Sequence, residues 1–135
     1  MNKFDFLPHT ADLKIRAYGT NDQELLSNAL LALIEYLSPQ ESRFPKQISK
    51  VIEINADNKI DLWIDFLNEV LTQMYINKFK PEELEFIEIS DKKIKAKIIG
   101  NRWQSIKKDI KSITYHQAEI NTDKYPHEFT FICDI

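Results

Sequence analysis

The feature that most constrains this fold is a helix that is apolar around most of its circumference. Asn58 is a typical helix-capping residue, and apolar side chains recur behind it at helical spacing. Leu62 and Tyr75 widen the apolar stripe, so that little polar surface is left. Other elements must therefore cover this helix on more than one side. The stripe consists of Trp63, Phe66, Leu67, Val70, Leu71 and Met74.

A first helix is predicted upstream, between Gly19 and Pro39. The stretch Thr-Asn-Asp-Gln at residues 20–23 matches a capping box, in which Thr20 caps the helix and Gln23 reaches back to it. Pro39 ends the helix, because proline cannot continue one. The broad apolar face of this helix is formed by Leu25, Leu26, Ala29, Leu30, Leu33, Ile34 and Leu37.

The remaining segments alternate between apolar and polar residues, which is typical of half-buried strands. Short links, such as the predicted hairpin turn at residues 90–92, favour antiparallel pairing. The predicted order is two strands, a helix, a strand, a long helix and four strands. The fold class is therefore α+β: two helices packed against mainly antiparallel, sandwich-like sheet, in one domain over residues 1–135. The predicted strands cover residues 3–7, 12–18, 48–54, 84–89, 93–99, 110–120 and 128–135.

Length and charge exclude several classes of protein. A chain of 135 residues, 43% of them hydrophobic, can bury a core without disulfides. Its net charge of −3 lacks the basic excess of nucleic-acid binders, so strong direct RNA or DNA binding is not expected. The single cysteine, Cys133, cannot form an intramolecular disulfide. Since no signal-peptide core and no membrane-length apolar run occurs, we expect a cytosolic location without membrane contact.

Three carboxylates could come together and bind a cation. Asp134 and the α-carboxylate of Ile135 are adjacent at the end of the last strand, and chain ends fray unless they are held. A hard divalent cation would hold them, because Ca²⁺ and Mg²⁺ prefer oxygen ligands. Asp12, in the turn before the second strand, could complete the cluster. The ordinary alternative stays open: Asp12 bonds its own backbone, and the last two residues form an exposed end.

Other reactive residues have simpler interpretations. His9, near Asp12, and His116 could each act as a general base, but a hydrogen-bonded structural histidine is the simpler interpretation of both. Cys133 is predicted to be a small core residue, and Tyr115 is predicted to contribute to strand and core packing. A modest basic patch, interpreted as a solvated surface, comprises Lys107, Lys108 and Lys111.

Short motifs occur in the order and spacing of one protein family. Residues 4–12 give a Phe-rich strand followed by His-Thr-Ala-Asp, and residues 15–19 read Ile-Arg-Ala-Tyr-Gly. Residues 65–70, in the second helix, read Asp-Phe-Leu-Asn-Glu-Val. Residues 111–116 read Lys-Ser-Ile-Thr-Tyr-His, and the last two residues are Asp-Ile. In these motifs the chain resembles the archease family, from the first strand to the last residue.

This resemblance implies a non-enzymatic protein that activates an RtcB-type RNA-splicing ligase, by promoting the ligase's guanylylation and its repeated turnover. It also implies a divalent-cation site, for Ca²⁺ or alternatively Mg²⁺, formed by Asp12, Asp134 and Ile135. The departures from the family pattern are Pro8, Lys14 and the lack of Arg-His within residues 103–109, and they concern the surrounding surface. Two alternatives remain: a small metal-dependent hydrolase with a histidine base, and a metal-free protein-interaction domain.

Overall fold

Two antiparallel sheets lie on either side of two helices. The structure is a computed structural model, and it describes residues 2–135. Each helix contacts strands of both sheets, which confirms the predicted α+β class and the predicted cover of the second helix. The elements in chain order are β1 (Phe4–Leu7), β2 (Leu13–Gly19), α1 (Asp22–Leu37), β3 (Gln40–Glu41), β4 (Gln47–Asn55), α2 (Lys59–Asn77), β5 (Phe79–Ile89), β6 (Lys93–Ser105), β7 (Ser112–Asn121) and β8 (His127–Asp134).

The last strand occupies an inner position in the first sheet. The strand order of this sheet is β1-β2-β8-β7, so β8 pairs with β2 on one edge and with β7 on the other. Residues 129–133 of β8 are all buried, which means that both faces of this strand are covered. The end of the described chain is therefore held by two neighbouring strands.

The second sheet is built around β6, which pairs with β3, β4 and β5. The predicted hairpin between β5 and β6 is confirmed, with Ser90 N–H donating to the Lys93 carbonyl oxygen at 2.9 Å. Strand β3 was not predicted. It has only two residues, Gln40 and Glu41, and both are exposed, so no apolar alternation marks it in the sequence.

Side-chain caps fix the starts of both helices. Asn58 caps α2 as predicted, since its Oδ1 accepts from Asp61 N–H at 2.9 Å. The predicted cap of α1 is wrong by one residue: Asn21 Oδ1 accepts from Glu24 N–H at 2.9 Å, and Glu24 Oε1 accepts from Thr20 N–H at 3.2 Å. Glu24 stands three residues after the cap, where a carboxylate can reach back to the free N–H groups.

Helix α2 is the centre of the core. Its side chains meet β7 of the first sheet and β4, β5 and β6 of the second. Trp63 packs edge-on against Phe129 of β8, with ring centroids 5.0 Å apart. In the described part of the chain, neither helix is long and apolar enough to cross a membrane. The fully or almost fully buried residues of α2 are Leu62, Trp63, Ile64, Phe66, Leu67, Val70, Leu71 and Met74.

We expect Gly100→Ala to disrupt the β5–β6 pairing. A Cβ atom at Gly100 would overlap the Lys80 carbonyl oxygen and lie 2.8 Å from Pro81 Cα, so backbone would have to move. The free energy of unfolding should fall by about 3 kcal/mol or more in urea denaturation. Gly19→Ala is a milder comparison and not a neutral control, because its Cβ would lie 2.9 Å from the Leu25 backbone nitrogen; it should cost less than Gly100→Ala. An equal loss in both variants would contradict this account.

Candidate metal centre

The pairing of β2 with β8 brings two aspartates to the same end of the first sheet. Leu13 lies opposite Cys133 in this antiparallel pair. Asp12 precedes Leu13, and Asp134 follows Cys133, so each aspartate lies one residue beyond this pair, at the same end of the sheet. Ile135 follows directly. We call the end of the sheet formed by Asp12, Asp134 and Ile135 the tip.

Asp134 is held by the segment that leads into β7. The Lys111 N–H donates to the Asp134 carbonyl oxygen at 2.7 Å. The Ser112 hydroxyl donates to Asp134 Oδ2 at 3.3 Å, and Ser112 lies opposite Asp134 in the strand register. The Asp134 carboxylate is exposed, so it is oriented by its neighbours and remains open to a ligand.

Asp12 lies in a turn with an unusual backbone. Ala11 adopts the left-handed region, with φ of 65°, which is uncommon for a residue with a side chain. His9 Nδ1 lies 3.6 Å from Asp12 Oδ2, too far for a hydrogen bond but close enough for attraction when the imidazole is protonated. The Asp12 side chain is 38% exposed. This carboxylate is therefore accessible as well.

Two polar side chains of helix α2 fix the segment that carries Lys111 and Ser112. The Asn68 amide accepts from Ile113 N–H and donates to the Ile113 carbonyl oxygen, both at 2.8 Å. The Tyr75 hydroxyl accepts from Ile110 N–H and donates to the Asp109 carboxylate, both at 3.1 Å. Burial raises the pKa of Tyr75, which keeps this hydroxyl protonated. Helix α2 thus positions Asp134 through an intermediate strand segment.

The tip offers oxygen ligands. Within residues 2–135, no three or more His, Cys, Asp and Glu side chains cluster closely enough to hold a metal ion. A cation bound by the Asp12 and Asp134 carboxylates would therefore need further oxygen ligands, such as the Ile135 carboxylate or backbone carbonyls. An all-oxygen set of this kind fits Ca²⁺ or Mg²⁺ better than Zn²⁺, which prefers nitrogen and sulfur.

The other predicted residues have separate surroundings. His116 lies four residues further along β7 than Ser112, and its N–H donates to Thr114 Oγ1 at 2.8 Å. Cys133 is buried, which confirms the predicted core position; burial and the Asp134 charge raise the pKa of its thiol to about 12. The predicted packing of Tyr115 is wrong.

Tyr115 is 54% exposed, because β7 bulges away from β8 between Thr114 and Glu119 and turns this side chain outward. Gln117, within the bulge, has a positive φ of 58°. The Tyr115 hydroxyl donates to the Asp65 carboxylate, and this hydrogen bond raises the pKa of Tyr115 to about 12. A bulge is not visible in a simple apolar alternation, so the sequence pattern could not reveal it.

The supporting residues Asn68, Tyr75 and Ser112 were not singled out as functional from the sequence. One signal was available for Asn68, since a polar side chain on an apolar helix needs a hydrogen-bond partner when it is covered. Tyr75 was counted only as part of the apolar stripe. For Ser112, nothing local in the sequence indicates that its partner lies 22 residues away.

Comparison with known proteins decides the family. The sequence model of the archease protein family matches residues 4–135. The chain belongs to the archease family. It is 30% identical to protein archease of Sulfurisphaera tokodaii over 148 residues, and 28% identical to protein archease of Sulfolobus acidocaldarius over 143 residues. Both matches cover 100% of this chain and 100% of the relative.

Two solved structures share the archease fold with this family member. One is the crystal structure of an archease, described as a possible chaperone, from Thermotoga maritima. Its TM-score is 0.69 at 18% identity, with 96% of this chain and 94% of that chain covered. The other is the solution structure of protein 1598 of Methanobacterium thermoautotrophicum, with a TM-score of 0.67, 25% identity and 100% of both chains covered. The likeness extends over both sheets and both helices.

We expect Asn68→Ala to loosen the strand segment beside the tip. The change leaves the Ile113 N–H and carbonyl oxygen without their partner, and an unsatisfied pair of this kind costs about 2 kcal/mol of unfolding free energy. Hydrogen exchange at the Ile113 amide should become faster. Gln73→Ala, which removes hydrogen bonds only within α2, is the control and should cost about 0.5 kcal/mol. Unchanged exchange at Ile113 in Asn68→Ala would contradict the role assigned to this side chain.

Proposed function

We propose that this protein is a non-enzymatic accessory protein of an RtcB-type RNA ligase. In this proposal it promotes the ligase's guanylylation and its repeated turnover, and it carries a divalent-cation site at the tip. The ligands are Asp12, Asp134 and the carboxylate of Ile135, and the cation is Ca²⁺ or alternatively Mg²⁺. The proposal includes a cytosolic location and no strong direct binding of nucleic acid.

Family membership supports the accessory role. The family model covers nearly the whole chain, and the two relatives named protein archease match this chain over their full length. The Thermotoga maritima relative is described as a possible chaperone, a role that is exercised on another protein. An accessory protein acts through an exposed surface, and the tip carboxylates are exposed.

The observation that carries the cation site is the β2–β8 register. Asp12 and Asp134 are 122 positions apart in the sequence, yet this register, continued by one residue beyond the Leu13–Cys133 pair, would set them opposite each other. Two carboxylates at adjacent strand ends repel each other, and a hard cation offsets that repulsion while it ties down the strand end. The hydrogen bonds from Lys111 and Ser112 orient Asp134 before any ion binds. Preorganised ligands of this kind favour binding, since less order has to be created.

The tip could act on the ligase by selecting one of its conformations. Phosphoryl-transfer sites depend on correctly placed divalent metal ions. A partner that binds both states of the ligase equally shifts nothing, so the tip has to bind the competent state more tightly. In this proposal the tip docks near the ligase's reaction centre and favours the arrangement that accepts the guanylyl group.

A small metal-dependent hydrolase is the second candidate, and the His9–Asp12 pair favours it. An imidazole 3.6 Å from a metal-binding carboxylate could serve as a base for a metal-bound water. A hydrolase usually encloses its substrate, however, whereas His9 and Asp134 are both exposed. Turnover of phosphoester substrates with Ca²⁺ or Mn²⁺ separates the two candidates, because the accessory role predicts none.

We expect Asp12→Asn and Asp134→Asn each to weaken Ca²⁺ binding by about tenfold or more, because each change removes a charged ligand. Isothermal titration calorimetry measures the affinity, and thermal unfolding checks the fold. Asp91→Asn, in the exposed β5–β6 turn, removes the same charge away from the tip and should bind as wild type does. A tag fused after Ile135 should mimic Asp134→Asn, whereas an N-terminal tag should be harmless. Wild-type affinity in both tip variants would refute the ligand assignment.

We expect wild-type protein to accelerate guanylylation of the ligase more than the later sealing steps. Single-turnover ligation, started from free ligase or from pre-guanylylated ligase, separates the two effects. The acceleration of ligation should be smaller when the ligase is already guanylylated. The double variant Asp12→Asn/Asp134→Asn should not activate the ligase even where it still binds the ligase. Equal acceleration of both stages, or full activation by the double variant, would contradict the proposed role of the tip.

A further inference from the structure

A groove with an apolar floor and a basic rim lies beside the tip. Its volume is about 480 Å³, within the range of small ligand sites. One of its lining residues is the nearly buried Leu13, which follows Asp12 of the tip in the chain. We call it the basic groove. Its lining residues are Phe6, Leu13, Glu35, Tyr36, Ser38, Lys107 and Lys108.

The floor of the basic groove is a part of the first sheet that α1 covers only partly. Phe6 lies opposite Ile15 in the β1–β2 pair, so both side chains point to the same face of the first sheet. Ile15 is completely buried, whereas 42% of Phe6 is exposed. The Phe6 ring meets the edge of Tyr36, with centroids 6.3 Å apart, near the end of α1 at Leu37. An inward-facing aromatic side chain is thus left open to a partner.

The basic rim is fixed in place by its backbone. The N–H groups of Lys107 and Lys108 donate to the Leu37 carbonyl oxygen, at 2.9 and 3.5 Å. The Lys108 ammonium lies over the Tyr36 ring, 4.9 Å from its centroid. Among residues 2–135, neither lysine has a carboxylate within ion-pair distance. Both charges are therefore available to an anion from outside.

We infer that the basic groove receives an acidic segment of a partner protein that carries an aromatic side chain. The aromatic ring packs against Phe6 and Leu13, where it removes apolar surface from water. A carboxylate beside it meets Lys107 and Lys108, and Glu35 on the groove wall repels a carboxylate in the reversed orientation. The identification of the ligase as this partner rests on the proposed function above. The inference that the occupant is acidic and aromatic does not depend on that function.

Local charge favours an acidic protein segment over RNA. Two lysines on one rim match one or two carboxylates, whereas RNA presents a phosphate at every nucleotide. Glu35 lines the groove, and the chain has a net charge of −3. A longer polyanion would therefore meet repulsion from Glu35 and from the overall negative charge of the protein.

The charge test uses two double variants with equal net charge. Lys107→Glu/Lys108→Glu reverses the basic rim. Lys92→Glu/Lys124→Glu is the control, because residue 92 lies in the β5–β6 turn and residue 124 in the β7–β8 link, at the opposite end of the sheets. Phe6→Ser removes the aromatic floor without a change in charge. Thermal unfolding checks that each variant folds, and the lysine variants alter only exposed side chains.

The first probe is independent of the ligase. A capped peptide Glu-Asp-Phe-Glu-Asp is titrated into ¹⁵N- and ¹³C-labelled protein, and a Lys-Lys-Phe-Lys-Lys peptide serves as its counterpart. The acidic peptide should shift resonances of Phe6, Leu13 and Tyr36 in the wild-type protein. The basic peptide should not shift them, and the acidic peptide should not shift them in the Lys107→Glu/Lys108→Glu variant. Equal responses to both peptides, or shifts confined to other surfaces, would overturn the inference. Single-stranded RNA that binds this groove more tightly than the acidic peptide would also overturn it.

The second probe is a purified RtcB-type ligase. Its affinity for wild-type protein should fall by about tenfold or more in Lys107→Glu/Lys108→Glu, since like charges then face each other. The control double variant should bind within about twofold of wild type, and added salt should weaken wild-type binding more than variant binding. Wild-type affinity in the rim variant would overturn the groove as the ligase contact. A ligase that binds no form of the protein, while the acidic peptide binds, would refute the proposed function and leave the groove chemistry supported.

Discussion

The burial of α2 between the two sheets is the constraint on which the rest of the structure depends. Eight of its side chains are buried, and they face strands of both sheets. A helix with so little polar surface cannot lie on the outside of a single sheet without exposing an apolar face. The antiparallel sheets therefore close over it from both sides. The Trp63 indole N–H illustrates how dry this layer is, because it is buried without a hydrogen-bond partner among the described residues.

The few polar groups of α2 connect this core to the tip. Asn68 and Tyr75 hydrogen-bond to the backbone at Ile113 and Ile110, and the segment between them supplies Lys111 and Ser112 to Asp134. Asp134 is exposed, yet its position is fixed through a helix that is largely buried. An exposed site on a rigid support is suited to a protein that acts on another protein, because a partner can reach the ligands while their geometry is maintained.

Two chemically different surfaces meet at this end of the molecule. The tip carries carboxylates, and the basic groove beside it carries two lysines over an aromatic floor. Opposite charges side by side favour one orientation of a partner over the reverse, since a rotated partner would face like charges. The hydrogen bonds from the Lys107 and Lys108 N–H groups to the Leu37 carbonyl oxygen fix the basic rim at the end of α1.

The sequence by itself determined the two helices, most of the strands, the α+β class and the family, because these follow from local periodicity and short motifs. It missed β3, placed the α1 cap at Thr20 instead of Asn21, and assigned Tyr115 to the packed interior. Only the tertiary structure decided that Leu13 pairs with Cys133, which brings Asp12 and Asp134 to the same end of the sheet. It also decided that Asn68 and Tyr75 support the segment beside Asp134, and that Phe6 is left partly exposed. Local patterns report which face of an element is apolar, but the pairing of residues as distant in the sequence as Leu13 and Cys133 is set by the packing of the whole chain.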